Sequence, residues 1–194
     1  MNKEEVWRQL CAEIGAEFVE GGFWKGSKVQ AMVGPWTVTL DTYTVSAQYT
    51  QVTYTRMRAP YVNPEGFRFT IYRKGSFSEV GKMLGLQDIE VGDPVFDEAF
   101  IIQGNNEPRV QHLFADARLR ALVAAQPTIK LDVKDSEGWF GPKFPDNVDE
   151  LHFLVVGVID QVERLKSLFD LFAAVLAQLC KIGSAYRQEP GVTL

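Results

Sequence analysis

Soft metal ligands are scarce in this chain: two histidines, His112 and His152, and two cysteines, Cys11 and Cys180. Structural zinc needs about four such groups and shows itself in sequence through close pairs such as Cys-x-x-Cys or His-Glu-x-x-His. Neither spacing occurs. His112 stands beside Leu113 in a helical pattern and His152 beside Phe153 in an apolar run, so both read as structural histidines with satisfied partners. Each cysteine lies inside an apolar helical stripe near one end of the chain, which favours small buried thiols in a reducing compartment, with a disulfide left open.

Carboxylates are more crowded. Asp88, Glu90, Asp93, Asp97 and Glu98 could be paired acids for proton transfer or a calcium loop, but the spacing of a calcium-binding EF-hand is absent. Asp93 precedes Pro94, the favoured first residue of a helix, and Asp97 and Glu98 follow within its first turns, where negative charge offsets the helix dipole. Helix capping is therefore the expected role of this group. No Gly-x-Ser-x-Gly, Gly-x-Gly-x-x-Gly or phosphate-binding loop occurs, so the sequence signals neither a nucleophile elbow nor a nucleotide, and no cofactor is expected.

Two glycine-rich segments each carry an aromatic pair, Phe23-Trp24 in GGFWKG and Trp139-Phe140 in EGWFGPKFP. Large rings on turns are costly to leave in water, and such residues at loop tips anchor partners because they bury much area with few rotors. Phe23, Trp24, Trp139 and Phe140 are the candidate binding residues; the alternative is that each pair folds back over an open end of a sheet.

These groups are set in 194 residues, enough for one substantial domain spanning 1–194 or for two halves, 1–126 and 127–194, sharing a core. Hydrophobic residues make up 46% and charged residues 23%, an ordinary globular balance. With 20 Lys and Arg against 25 Asp and Glu the net charge is −5, and no basic run could neutralise phosphates, so nucleic acid is not an expected partner. The first residues, MNKEEVWRQLCAEIG, lack the uninterrupted apolar stretch of a secretory signal. The most apolar runs, 151–159 and 168–180, fall short of the roughly 20 residues that span a bilayer. A cytoplasmic location is expected.

Periodicity supplies the elements that must position the candidates. Asn2 with Glu5 resembles a capping box ahead of the stripe Val6, Trp7, Leu10, Cys11, Ile14, with Gly15 as a stop. From 17 to 73 the period changes to two, giving about five strands, with turns at Gly21-Gly22, Gly34-Pro35, Ser46-Ala47 and Asn63-Pro64. Thr37, Thr39, Thr42, Thr44, Thr50, Thr53 and Thr55 suit a sheet with one wet face. Ser78 is placed to cap a short helix ending at Gly85 and Asp93 a second, with Phe96 and Phe100 on one side. A strand at 100–102, a turn at 103–106 and helices carrying Pro108 and starting at Asp116 come next. Ile129, Leu131 and Val133 alternate with charged residues as a half-exposed strand, 151–159 reads as a buried one, and Asp160 with Glu163 opens a final helix broad in its apolar face. Helices and strands are segregated along the chain, which argues an α+β fold: an antiparallel meander, then helices, then a second strand set and a long C-terminal helix, with a duplicated sheet–helix plan as an option.

The segments DIEVGDPVFDEAFIIQGNNEPRVQHLF, RLRALVAAQP and DELHFLVVGVIDQVERLKSLFDLF resemble an uncharacterised bacterial family known chiefly as hypothetical proteins. The middle part is similar, more loosely, to domains of unknown function with an acid-Pro-x-Phe-acid-x-x-Phe pattern before a turn and helix, here Asp93, Pro94, Phe96, Asp97 and Phe100. The resemblance implies a fold and carries no catalytic or binding residue onto this chain.

The leading expectation is a non-enzymatic binding or scaffold domain that recognises a protein or a small apolar ligand. The rival is an enzyme whose unpatterned site lies in a cavity between sheet and C-terminal helix, with polar groups drawn from Tyr43, Tyr49, Tyr54, Arg56 and Arg58. Self-association through the final helix is a third reading, because Leu165, Leu168, Phe169, Leu171, Phe172, Val175 and Leu176 cover two overlapping faces.

Overall fold

The structure is a computed structural model that describes residues 2–22, 26–47, 49–75, 87–137, 141 and 144–194. Helix α1 (Lys3–Ile14) opens the chain through a reciprocal capping box: the Asn2 side chain accepts from the Glu5 amide and the Glu5 carboxylate accepts from the Asn2 amide. Gly15, at φ 70°, ends it in the left-handed region that a side chain would disfavour. Five strands follow, β1 (Glu17–Val19), β2 (Lys28–Val33), β3 (Trp36–Ala47), β4 (Thr50–Val62) and β5 (Phe69–Arg73). Then come α2 (Pro94–Ala99), β6 (Phe100–Gly104), α3 (Glu107–Phe114), α4 (Ala117–Ala124), β7 (Lys130–Lys134), β8 (Val148–Val156) and α5 (Val162–Lys181). Asp93, Asn106 and Asp116 cap α2, α3 and α4 through side-chain oxygens that accept from backbone amides.

All eight described strands join one antiparallel sheet in the order β1-β2-β3-β4-β8-β7-β5-β6. The fold is α+β with a meander running from β1 to β4. The last strand in sequence, β8, is inserted between β4 and β7, so the two strand sets meet at the centre rather than forming separate sheets.

Strand alternation gives the sheet two unlike faces. One carries Val38, Leu40, Met57, Ala59, Leu131, Leu151, Phe153 and Ile71, all at or near zero exposure, and packs with the five helices into one apolar cluster. The other carries Asp41, Tyr43, Arg56, Arg58, Asp132, Lys134, Glu150 and His152. Helix α5 buries Leu165, Leu168, Leu171, Phe172, Val175, Leu176 and Leu179 fully, and α1, α3 and α4 all pack against it. The broad apolar face that suggested a second copy of the chain is thus covered from within the chain.

Several local expectations need correction. Strand β7 is less exposed than expected at its middle: Asp132 is buried, while Lys130 and Lys134 at its ends are half-buried. Thr39 and Thr55 are buried rather than wet; the Thr55 hydroxyl donates to the Gly157 carbonyl and accepts from the Ile159 amide, tying off the end of β8. Ser46 and Ala47 belong to β3, which pairs through to Thr50. Helix α5 starts one residue later than expected, with Gln161 as a cap that makes no side-chain bond. The helix expected at 78–85 lies outside the described residues.

Candidate functional site

The aromatic pairs Phe23-Trp24 and Trp139-Phe140, expected as binding residues, lie outside the described residues. A cluster of buried charged residues lies elsewhere, on the sheet face turned away from the helices.

Antiparallel register lines up one residue from each of six adjacent strands there: Thr39, Arg58, His152, Asp132, Thr70 and Gln103. All six are buried. A polar row through the middle of a sheet is costly unless each group finds a partner, and the partners define the site. His152 Nδ1 lies 3.0 Å from Asp132 Oδ1, with the imidazole side chain 5% exposed. Lys134 Nζ is 3.4 Å from His152 Nε2. An anionic Asp132 beside Nδ1 and an ammonium beside Nε2 select the tautomer protonated on Nδ1, with the Nε2 lone pair accepting from Lys134. Burial is the largest influence on this imidazole and favours its neutral form; Asp132 opposes that, while Lys134 and Arg56 add to it, and the net effect is a pKa below the ordinary value.

On β3 and β4, Asp41 accepts from Arg56 Nε at 2.8 Å and Nη2 at 2.7 Å, and also from Arg58 Nη2 at 2.7 Å. This fork of two guanidiniums on one carboxylate is set by the direct cross-strand pairing of Asp41 with Arg56. Arg58 reaches on to Glu137, in the connection after β7. Beside Glu137 sits Glu150, wholly buried, with no donor from the described residues aimed at either of its oxygens. Two carboxyl groups in contact away from water cannot both be charged, so they share a proton. Burial, then the contact with Glu137, pushes Glu150 up to about 9. Burial also works against the charge of Glu137, but a hydrogen bond from Glu150 and the Arg58 guanidinium together hold its carboxyl below the usual range.

Tyr43, Arg56, Lys134, Ser136, Glu137 and His152 enclose a cleft of about 410 Å³ above this cluster. The Tyr43 ring stacks on Tyr54 at 5.2 Å and carries the Arg56 guanidinium 4.8 Å from its centroid, so one wall is a rigid aromatic–cation layer. Burial raises the Tyr43 phenol, which keeps its hydroxyl a neutral donor.

Of the polar groups expected between sheet and C-terminal helix, Tyr43 and Arg56 line this cleft, Arg58 supports it from beneath and Tyr54 backs Tyr43. They do so on the opposite face from α5, where the core is filled. Tyr49 stands 96% exposed at the turn between β3 and β4. Sequence reasoning passed over Asp41, Asp132, Lys134, Ser136, Glu137 and Glu150 and treated His152 as bland. A signal was present: charged residues at every second position of two apolar strands, Asp132 and Lys134 in KLDVK and Glu150 and His152 in DELHFL. His112 is exposed on α3, and among the described residues no group of three His, Cys, Asp or Glu could hold a metal ion.

The acids around the α2 cap are structural. Asp93 accepts from the Phe96 amide, Asp97 from the Val91 and Gly92 amides, and Asp88 from the Gln103 side chain. Among the described residues no helix is long and apolar enough to cross a membrane. Compared with family models, curated proteins and solved structures, the chain matches none.

Proposed function

We propose that the protein is a binding domain whose ligand site is the polar cleft over β4, β8 and β7, and that its ligand is a small polar molecule. The observation that carries this reading is Lys134: its only partner among the described residues is the neutral His152, while the neighbouring arginines are matched by carboxylates. An ammonium held half-buried beside an imidazole lone pair is a donor set with a vacancy for an acceptor. The size of the cleft suits a molecule of about ten to twenty heavy atoms. The test is a titration of isotope-labelled protein with small sugars, nucleosides, amino acids and organic acids. Shifts should cluster on the amides of Asp41 to Tyr43, Arg56, Asp132 to Glu137 and Glu150 to His152 for at least one class. Silence from every class would overturn the reading.

A second reading, acid–base catalysis in the same cleft, is favoured by one specific feature. A neutral imidazole backed by Asp132 and a Glu137 carboxylate held below the usual range face the same cleft as proton-transfer groups, with the protonated Glu150 buried behind Glu137. Following the ligand's own resonances for hours separates the two: an unchanged ligand supports binding, conversion supports catalysis. We also propose kinship with the bacterial family that residues 88–114, 118–127 and 149–172 resemble, and a cytoplasmic location, which two free cysteines support. Recovery from the periplasm on cell fractionation would overturn the location.

A further inference from the structure

Building on the binding reading above, we infer that the ligand class is a small oxyanion, a carboxylate or a phosphate, which pairs with the Lys134 ammonium on the cleft side and takes that ammonium's place at Nε2 of His152, which lies 3.4 Å from the ammonium. The charged groups that line the cleft are Arg56, Lys134 and Glu137, two cations to one carboxylate. A chain whose net charge is −5 has therefore collected a positive excess in a recess of low exposure. Such an arrangement is unfavourable in the empty protein and is relieved by an anion.

The excess is localised. Arg56 and Arg58 are held by Asp41 and Glu137, and Lys130 lies 4.0 Å from Asp132. Lys134 is the cation without a carboxylate among the described residues, although its cross-strand neighbour is Glu150. Glu150, wholly buried, makes no ion pair with it. Ser136, two residues on, and Tyr43 across the cleft place hydroxyl donors on the same space. Two cationic or donor groups with flanking hydroxyls are the recognition chemistry of an oxyanion, and a neutral sugar or an amine would find the ammonium repulsive or indifferent.

Binding has a protonic consequence. The groups facing His152 are Asp132 and Lys134 from β7, Arg56 and Arg58 from β4, Glu150 from its own strand and Glu137 from the connection above. An anion at Lys134 screens the positive charges that disfavour imidazolium and offers an acceptor for an Nε2 proton, while Asp132 already holds the Nδ1 proton. The imidazole therefore takes up one proton from solvent as the oxyanion enters, becoming a cation with a partner on each nitrogen.

The experiment uses the full chain with sulfate and acetate as probes, read by the imidazole nitrogen resonances at about pH 7. His112→Gln leaves one histidine to observe. Expected are a saturable shift of both His152 nitrogens toward the imidazolium position and a loss of affinity of about tenfold or more in Lys134→Met, with retention in Lys134→Arg. Sulfate binding more tightly than acetate would assign the site to phosphate-like ligands, and the reverse order to carboxylates. If neither anion shifts His152 while a neutral polar molecule does bind in the cleft, the oxyanion assignment fails and the binding reading stands. If nothing at all binds in the cleft, both fall. Unaltered sulfate affinity in a folded Lys134→Met, judged by circular dichroism, also overturns the assignment.

Discussion

The chemistry of single residues here is governed by burial, and it can be read out through pH. Glu150 has its folded-state pKa raised from 4.5 to about 9, so the folded protein keeps a proton that the unfolded chain has released. Its contribution to stability is full below about 4.5 and is lost as the pH rises towards about 9. Glu150→Gln, which mimics the protonated carboxyl, should flatten the fall in urea midpoint across that window, and a variant that falls as steeply as the parent would refute the shared proton. His152 works the other way. Its lowered pKa makes neutral imidazole the folded form, so its contribution is present above the ordinary 6.5 and is lost as the pH falls below it. Asp132→Asn tests the partner of that ring: with a buried Nδ1 proton deprived of its carboxylate, a loss of about 1–3 kcal/mol in chemical denaturation is expected, together with a change in the imidazole nitrogen shifts. An unchanged tautomer signature would place Asp132 in a packing role only.

At the scale of elements, the caps decide which helices are well begun. Asp93, Asn106 and Asp116 each accept from a backbone amide, whereas the twenty-residue α5 starts at Gln161 with extended backbone and no side-chain bond. Gln161→Asp should therefore stabilise the protein by about 0.5–1 kcal/mol, and Asp93→Ala should destabilise it by about 1 kcal/mol or somewhat more, since Asp93 also holds Arg120 at 3.1 Å. Thermal melts of the two variants should move in opposite directions; a shift of both in one direction would mean that packing, not capping, controls these ends. The caps were legible because they are local, an acid or amide three residues before a free amide. The α5 start was misplaced for the same reason. Asp160 and Glu163 have the right spacing, but the chain leaves β8 through Gly157, at φ 93°, and the turn enters the helix one residue later.

For the whole molecule, the insertion of β8 between β4 and β7 is the organising fact, because it makes one sheet and one core from two strand sets. It also brings Arg58, from the meander, opposite His152, from the last strand, with Asp132 on the far side. Helix α5 then closes the apolar face and has no buried side left to offer. The expected result from light scattering over a dilution series is a one-chain mass throughout; a mass that doubles with concentration would point to a surface other than the apolar face of α5, such as the exposed Val45, Tyr49 and Val156 beside the β3–β4 turn.

The sequence by itself determined what depends on neighbours within about one helical turn or one strand: the periods of 3.6 and two, the prolines and acids at helix starts, and the α+β class that follows from their order. It could not determine which strand lies beside which, since pairing between residues about a hundred positions apart is chosen by how the whole set of apolar faces is best covered. The cleft was hidden for that reason. Asp41, Arg56, Asp132, Glu150 and His152 are ordinary alternating polar residues along their own strands, and only the tertiary register, by stacking them side by side under cover, turned them into a charged site.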